Sequence, residues 1–181
     1  MRLAEEIYIF DIDGCIMPPI ISNFNGDNDK SREKTINEII NNGSKLKLYP
    51  EFVNYYRKNC RKAESVVFIT GRKKREFGEL TKNQLKPLKS VREFQIIYYP
   101  EGNHHKSDEY FEWKSKKIQK IIDGYLNGDK SVTYFKKTVL FNIFDDMNEY
   151  FTEIQDYGDK LSLEIYLFLI DGKDSWNSLI Q

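Results

Sequence analysis

The chain has 181 residues, 40% of them hydrophobic and 14% aromatic, which suits one globular domain with a sizeable core. Its 28 basic and 28 acidic side chains cancel to a formal net charge of zero, but residues 142–181 hold nine acids and two lysines, leaving a net +7 on the rest. That asymmetry permits anionic partners without demanding them, while two cysteines exclude a disulfide framework and the absence of a long apolar run excludes a transmembrane helix.

The start, "MRLAEEIYIF", has no apolar leader and goes straight into a strand-like run, so a soluble, cytoplasmic protein is expected. Strands are predicted at 6–10, 65–69, 94–99, 138–144 and 163–170. Each is apolar on both parities, the pattern of strands covered on two faces in a parallel sheet. Helices are predicted at 31–41, 50–60, 73–85, 108–126 and 147–157, with Pro50 at a first helical position and Gly124, Gly128 and Gly158 near helix ends. The alternation implies an α/β fold: a doubly wound, Rossmann-like parallel sheet of about five strands with helices on both faces. Residues 1–181 read as a single domain. The polar, Asn/Gly-rich segment at about 15–48 reads as a small flap or insertion over one end of the sheet, a minimal cap.

In such sheets ligands sit at the carboxyl ends of the strands. The first strand ends in Asp11 and Asp13, the second in Thr70-Gly71-Arg72, and the fourth in Asp145-Asp146. Four acids converging on one site would repel one another unless a cation balanced them. Ligands that are all oxygen suit a hard cation, and Mg²⁺ is the natural choice. Thr70, the amide of Gly71 and a lysine would hold phosphoryl oxygens, the positioning and charge stabilisation on which phosphoryl transfer depends. A carboxylate could then attack phosphorus.

In order along the chain, "FDIDG", "FITGR", a lysine near a helix start and "IFDDMNEYF" resemble the four signatures of the haloacid dehalogenase (HAD) superfamily of aspartate-nucleophile phosphatases. The resemblance implies a HAD-like fold and a Mg²⁺-dependent phosphatase, a phosphoric monoester hydrolase working through an aspartyl-phosphate intermediate. It makes Asp11 the nucleophile and a metal ligand. Asp13 would protonate the leaving oxygen and then deprotonate the attacking water, with its carbonyl on the metal. Thr70 and Gly71 would grip the substrate's phosphate, with Arg72 added as a phosphate contact from the basic run that it opens, and Asp146 would complete the metal site with Asp145 beside or behind it. The second aspartate, two residues after the first, marks the phosphatases of this superfamily rather than its dehalogenases.

The lysine is chosen among Lys114, Lys116 and Lys117. The apolar stripe of its helix is Ile118, Ile121, Ile122 and Tyr125, and at about 100° per residue Lys114 lies closest to the stripe. Lys114 is therefore the catalytic candidate, with Lys117 the alternative. A finer resemblance is to the phosphatase half of phage polynucleotide kinase-phosphatases and their stand-alone, RNA-repair-like relatives. It rests on the short insertion, "TGR", "FEWKSKKIQKII" and "DD" followed by "MNEYF". It implies a nucleotide or polynucleotide 3′-phosphate as substrate, against a phosphorylated small molecule. No Walker-type kinase motif accompanies it. The alternative function is a catalytically weak HAD-fold module that binds nucleic acid or protein. Tyr98, Tyr99, Phe111 and Trp113 read as packing rather than base-stacking residues, and His104 and His105 as loop residues. "RKKR" at 72–75 reads as the basic rim of a helix start.

Overall fold

Tyr8 and Phe10 pack on one side of the first strand and Ile7 and Ile9 on the other, and all four are buried. Side chains alternate across a strand, so a strand buried on both parities needs a helical layer on each face. The computed structural model describes residues 5–20, 29–101, 107–127 and 139–180. Within them the strands are β1 (Glu5–Phe10), β2 (Ser65–Lys73), β3 (Gln95–Tyr99), β4 (Val139–Asp145) and β5 (Glu164–Leu169). All pair in parallel, in the order β3-β2-β1-β4-β5. The helices are α1 (Asp29–Gly43), α2 (Pro50–Asn59), α3 (Lys74–Leu85), α4 (Ser107–Asn127), α5 (Phe151–Leu161) and α6 (Gly172–Ile180).

The two faces carry two cores. On one, Tyr8, Phe10, Val66, Phe68 and Phe144 pack with Phe52, Tyr55 and Tyr56 of α2 and Trp176 of α6. This core is strongly aromatic, with Phe144 stacked on Phe168 at 4.5 Å between ring centroids. On the other face, Ile7, Ile9, Val67, Ile69, Phe141 and Ile143 pack with Ile118 and Ile122 of α4 and Ile154 of α5. The fold is thus the doubly wound α/β sheet expected, and Pro50 opens α2 as expected.

Three elements differ from expectation. β2 does not stop at Ile69 but runs to Lys73, with a register shift against β3 between Thr70 and Lys73. Thr70, Gly71 and Arg72 therefore lie on a bulged strand end, and α3 starts only at Lys74. α5 starts at Phe151 rather than Met147, because the Met147 amide donates to Asp145 Oδ1 at 3.1 Å and the chain turns before it coils. Gly158 lies in the last turn of α5, near its end as expected, where its carbonyl accepts from the Ser162 amide, and a Cβ there would lie 2.5 Å from Ile165 Cδ1, so glycine permits close approach to β5. α6 is not among the expected helices; it seats Trp176 in the aromatic core against Phe52 and Phe144. No helix among the described residues is long and apolar enough to cross a membrane.

Candidate active site

The sheet registers Phe10 against Phe144, and the Asp11 amide donates to the Phe144 carbonyl at 2.9 Å. Asp11 and Asp145, the next residue of each strand, are thereby set side by side where the sheet ends. Lys114, from the second turn of α4, enters between them. Its Nζ donates to Asp11 Oδ1 at 2.7 Å and pairs with Asp145 Oδ2. All three are nearly sealed from solvent, with Asp11 5%, Lys114 1% and Asp145 1% exposed. Tyr150 also donates its hydroxyl to Asp145 Oδ2, and the rings of Tyr110 and Tyr150 lie 5.3 and 5.6 Å from the ammonium. Both carboxylates hold the Lys114 ammonium well above its ordinary pKa, against burial, the largest single influence, which favours the neutral amine. Lys117 does not take this place.

Asp146 completes the cluster. One carboxylate oxygen each from Asp11, Asp145 and Asp146 lies within 4.8 Å of the others. Burial first, and the Asp145 carboxylate next, push the Asp146 carboxyl up to about 6. Asp11 is raised for the same reasons, burial leading, with Lys114 opposing. One ammonium does not balance three carboxylates, and this all-oxygen donor set fits a hard divalent cation. The loop after Asp13 packs against this cluster. Gly14 has φ +82°, and a Cβ there would collide with Asp146 Oδ2. Only glycine lets the loop after Asp13 lie against that carboxylate. Asp145 spends its oxygens on Lys114, Tyr150 and the Met147 amide.

Asp13 is placed differently. Its carboxylate lies outside the three-acid group and takes two bonds from Arg72, Nε to Oδ2 at 2.8 Å and Nη2 to Oδ1 at 2.7 Å, and one from the Ile20 amide at 3.3 Å. Arg72 is itself buried. Its Nη1 donates to Thr81 Oγ1 at 3.0 Å and Gln84 Oε1 at 2.6 Å, and its Nη2 also meets Met17 Sδ at 3.4 Å. All five guanidinium N–H groups thus have acceptors within the protein, and in this arrangement none is left for a phosphate. Thr70 is fully buried at the end of β2 and accepts from the Arg72 amide at 3.2 Å, with Gly71 between them half-buried.

The loop joining these residues is fixed from behind. Gly14 donates to the Met17 carbonyl at 2.9 Å, and the Trp176 indole donates to the Cys15 carbonyl at 2.8 Å. Cys15 is buried with its thiol pushed up, chiefly by burial and then by Asp11, so its backbone rather than its sulfur serves the loop. Sequence reasoning misses Tyr150, Thr81, Gln84 and Trp176. Tyr150 has a local cue, lying five residues after Asp145, whereas the others come from distant helices. Tyr99 and Trp113 pack against each other at 4.9 Å and Tyr110 against Trp113 at 5.9 Å, as packing residues do. His104 and His105 lie outside the described residues.

No family model and no curated protein matches the chain. Solved structures do match. The HAD domain of the effector protein Lem4 from Legionella pneumophila superposes with TM-score 0.51 at 15% identity, covering 97% of this chain and 92% of that one. A hydrolase from Streptococcus pneumoniae gives 0.53 at 9% identity, covering 98% and 99%. A Pnkp1/Rnl/Hen1 complex gives only 0.46 at 13% identity, covering 91% of this chain and 47% of that chain, and lends no support to any choice of substrate. The first two likenesses show a HAD-like fold. Chemistry has to be argued from the site.

Proposed function

We propose that this chain, folded as a HAD-like domain, is a Mg²⁺-dependent phosphatase that hydrolyses a phosphomonoester through an aspartyl-phosphate on Asp11. The observation that carries the reading is the buried group in which Lys114 lies 2.7 Å from Asp11, with Asp145 and Asp146 alongside. An aspartate buried at a strand's carboxyl end is costly unless charge is organised around it. Here the organisation suits an incoming dianion, since the ammonium and a hard cation would together balance the carboxylates and the phosphoryl oxygens. Asp11, Asp146 and the Asp13 carbonyl would hold the cation, with Asp145 behind them. When bound, Mg²⁺ would supply charge neutralisation at the phosphoryl group.

The chain's own groups do the rest. An Asp11 carboxylate oxygen bonds to phosphorus as the ester oxygen departs, and that oxygen takes a proton from Asp13. Asp13, now a carboxylate, removes a proton from a water whose oxygen attacks the same phosphorus. The acyl-phosphate bond breaks, phosphate leaves and Asp11 is restored. Thr70 Oγ1 and the Gly71 amide would hold phosphoryl oxygens. Lys114 is fixed by Asp145 so that its charge stays on the side of Asp11.

A nucleic-acid end, as a nucleotide or polynucleotide 3′-phosphate, is the substrate we favour over a small phosphorylated metabolite. Lys74 and Arg75 stand exposed at the first turn of α3, directly beyond the carboxyl end of β2, where positive charge attracts a polyanion. The test is phosphate release from 3′- and 5′-phosphorylated oligonucleotides, mononucleotides and sugar phosphates, with Mg²⁺ or with chelator. Mg²⁺-dependent release from 3′-ends, absent in Asp11→Asn, is expected. Turnover of sugar phosphates alone would remove the nucleic-acid reading, and silence toward every ester would remove the phosphatase.

A further inference from the structure

Arg72 is a buried cation that touches neither Asp11 nor any other member of the three-acid group, yet all of its donors are engaged beside the site. Two of its bonds grip both oxygens of Asp13. Two more tie it to Thr81 and Gln84, three residues apart on one face of α3. Gln84 passes the connection on, because its Nε2 donates to the Gly43 carbonyl at 2.8 Å, at the last residue of α1. Thr81 in turn donates to the Phe77 carbonyl at 2.8 Å and is held in place by its own helix. A continuous line of bonds therefore runs from α1 through Gln84 and Arg72 to Asp13.

We propose that Arg72 is a positioning residue for proton transfer by Asp13, and that Gln84 fixes Arg72 from α1. The assignment rests on the phosphatase reading above. Both oxygens of an ionised Asp13 accept from the guanidinium. When Asp13 is protonated, both oxygens still accept from Arg72 through their lone pairs, while the protonated oxygen donates to the leaving oxygen. As the ester O–P bond breaks, the leaving oxygen takes the proton and Asp13 returns to an ionised carboxylate. A planar fork fixes a carboxylate's orientation in a way a lysine's point charge does not. Since the fork has no donor to spare, it sets the angle of the acid without holding the substrate's phosphate.

A phosphate-binding arginine and an acid-positioning arginine differ in kinetics. Removing the first raises KM for every substrate and weakens inorganic phosphate as an inhibitor. Removing the second slows formation of the Asp11 phosphate where the leaving group needs a proton and spares that step for activated leaving groups, while hydrolysis of the Asp11 phosphate, which uses Asp13 as base, slows for both. The experiment compares wild type, Arg72→Lys, Arg72→Met and Gln84→Met on an alkyl phosphate and a nitrophenyl phosphate, with inhibition by inorganic phosphate measured alongside. General acid catalysis contributes roughly 100-fold or more. Both Arg72 variants are therefore expected to lose about 10-fold to 100-fold in kcat on the alkyl ester. Little loss is expected in the nitrophenol burst that reports phosphorylation of Asp11 by the nitrophenyl ester, with unchanged phosphate inhibition, and Gln84→Met should show the same pattern more weakly. Arg72→Met removes a buried cation and need not fold, but Arg72→Lys keeps the charge and Gln84→Met lies outside the ion pair, so the pattern remains readable. Equal losses on both esters in the phosphorylation step, or weakened phosphate inhibition, overturn the assignment while leaving the phosphatase intact. A wild-type protein without turnover overturns the phosphatase reading and this assignment with it.

Discussion

Lys114 Nζ lies 2.7 Å from Asp11 Oδ1, although 103 positions separate the two in the chain. The ammonium is shared with Asp145 and is nearly sealed from water. Removing one partner of a buried ion pair strands the other, which costs about 3–5 kcal/mol. Lys114→Met should therefore destabilise the metal-free protein by roughly 3 kcal/mol, read as a lower urea midpoint. Added Mg²⁺ should stabilise Lys114→Met more than wild type, because the cation then balances more negative charge. A midpoint equal to wild type in chelator would show that the three charges do not depend on one another.

Gly14 is the second point of leverage. Its φ of +82° and the collision that a Cβ would make with Asp146 Oδ2 both require glycine. Gly14→Ala is expected to lose about 1–2 kcal/mol from the left-handed backbone and to push Asp146 from its place. The measurable result is a thermal shift by Mg²⁺ that is present in wild type and absent in the variant. A full shift in Gly14→Ala would mean that Asp146 does not face the cation.

Asp146 also sets a pH dependence. Its folded pKa is raised to about 6 from 3.8, so between those values the folded protein binds a proton that the unfolded chain releases. Metal-free stability from this group is therefore greatest at low pH and falls as pH rises through the window. Asp146→Asn removes that slope. Thermal melts in chelator at about pH 4.5 and about pH 7, either side of that raised value, should show Asp146→Asn gaining on wild type at the higher pH. Equal differences at both pH values would contradict the assignment.

Trp176 tests how the loop after Asp13 is held. It is fully buried and donates to the Cys15 carbonyl at 2.8 Å. Trp176→Phe keeps much of the aromatic contact with Phe52, Tyr55 and Phe144 but leaves that carbonyl without its donor. An unsatisfied buried acceptor costs about 1–3 kcal/mol, so a urea midpoint lowered by that order is expected with an unchanged slope. A midpoint within error of wild type would place the loop's support elsewhere.

The sheet is legible because buried parallel strands are apolar on both parities, as "IYIF" and "VVFI" are. Their alternation with helices then settles the class. Less legible is anything that depends on bonds between distant segments. "TGR" reads as the strand's exit into a helix from residue 73, yet β2 continues through it and pairs Lys73 with Tyr99 after a register shift. The start of α5 is delayed by a carboxylate two residues behind Met147, and periodicity does not report such a bond. For the site, helical phase places Lys114 on the buried side of its helix. Arg72 reads as a substrate contact from the basic run it opens, and nothing in the sequence signals that it also meets Asp13, Thr81 and Gln84.

Most direct for the central claim is a rapid acid quench of wild type mixed with a nitrophenyl phosphate and Mg²⁺, followed by mass analysis of the peptide that contains Asp11. The account predicts a phosphorylated peptide with the group on Asp11, formed within one turnover, absent in Asp11→Asn and absent in chelator. Steady release of phosphate from wild type with no modified Asp11 at any quench time would contradict it.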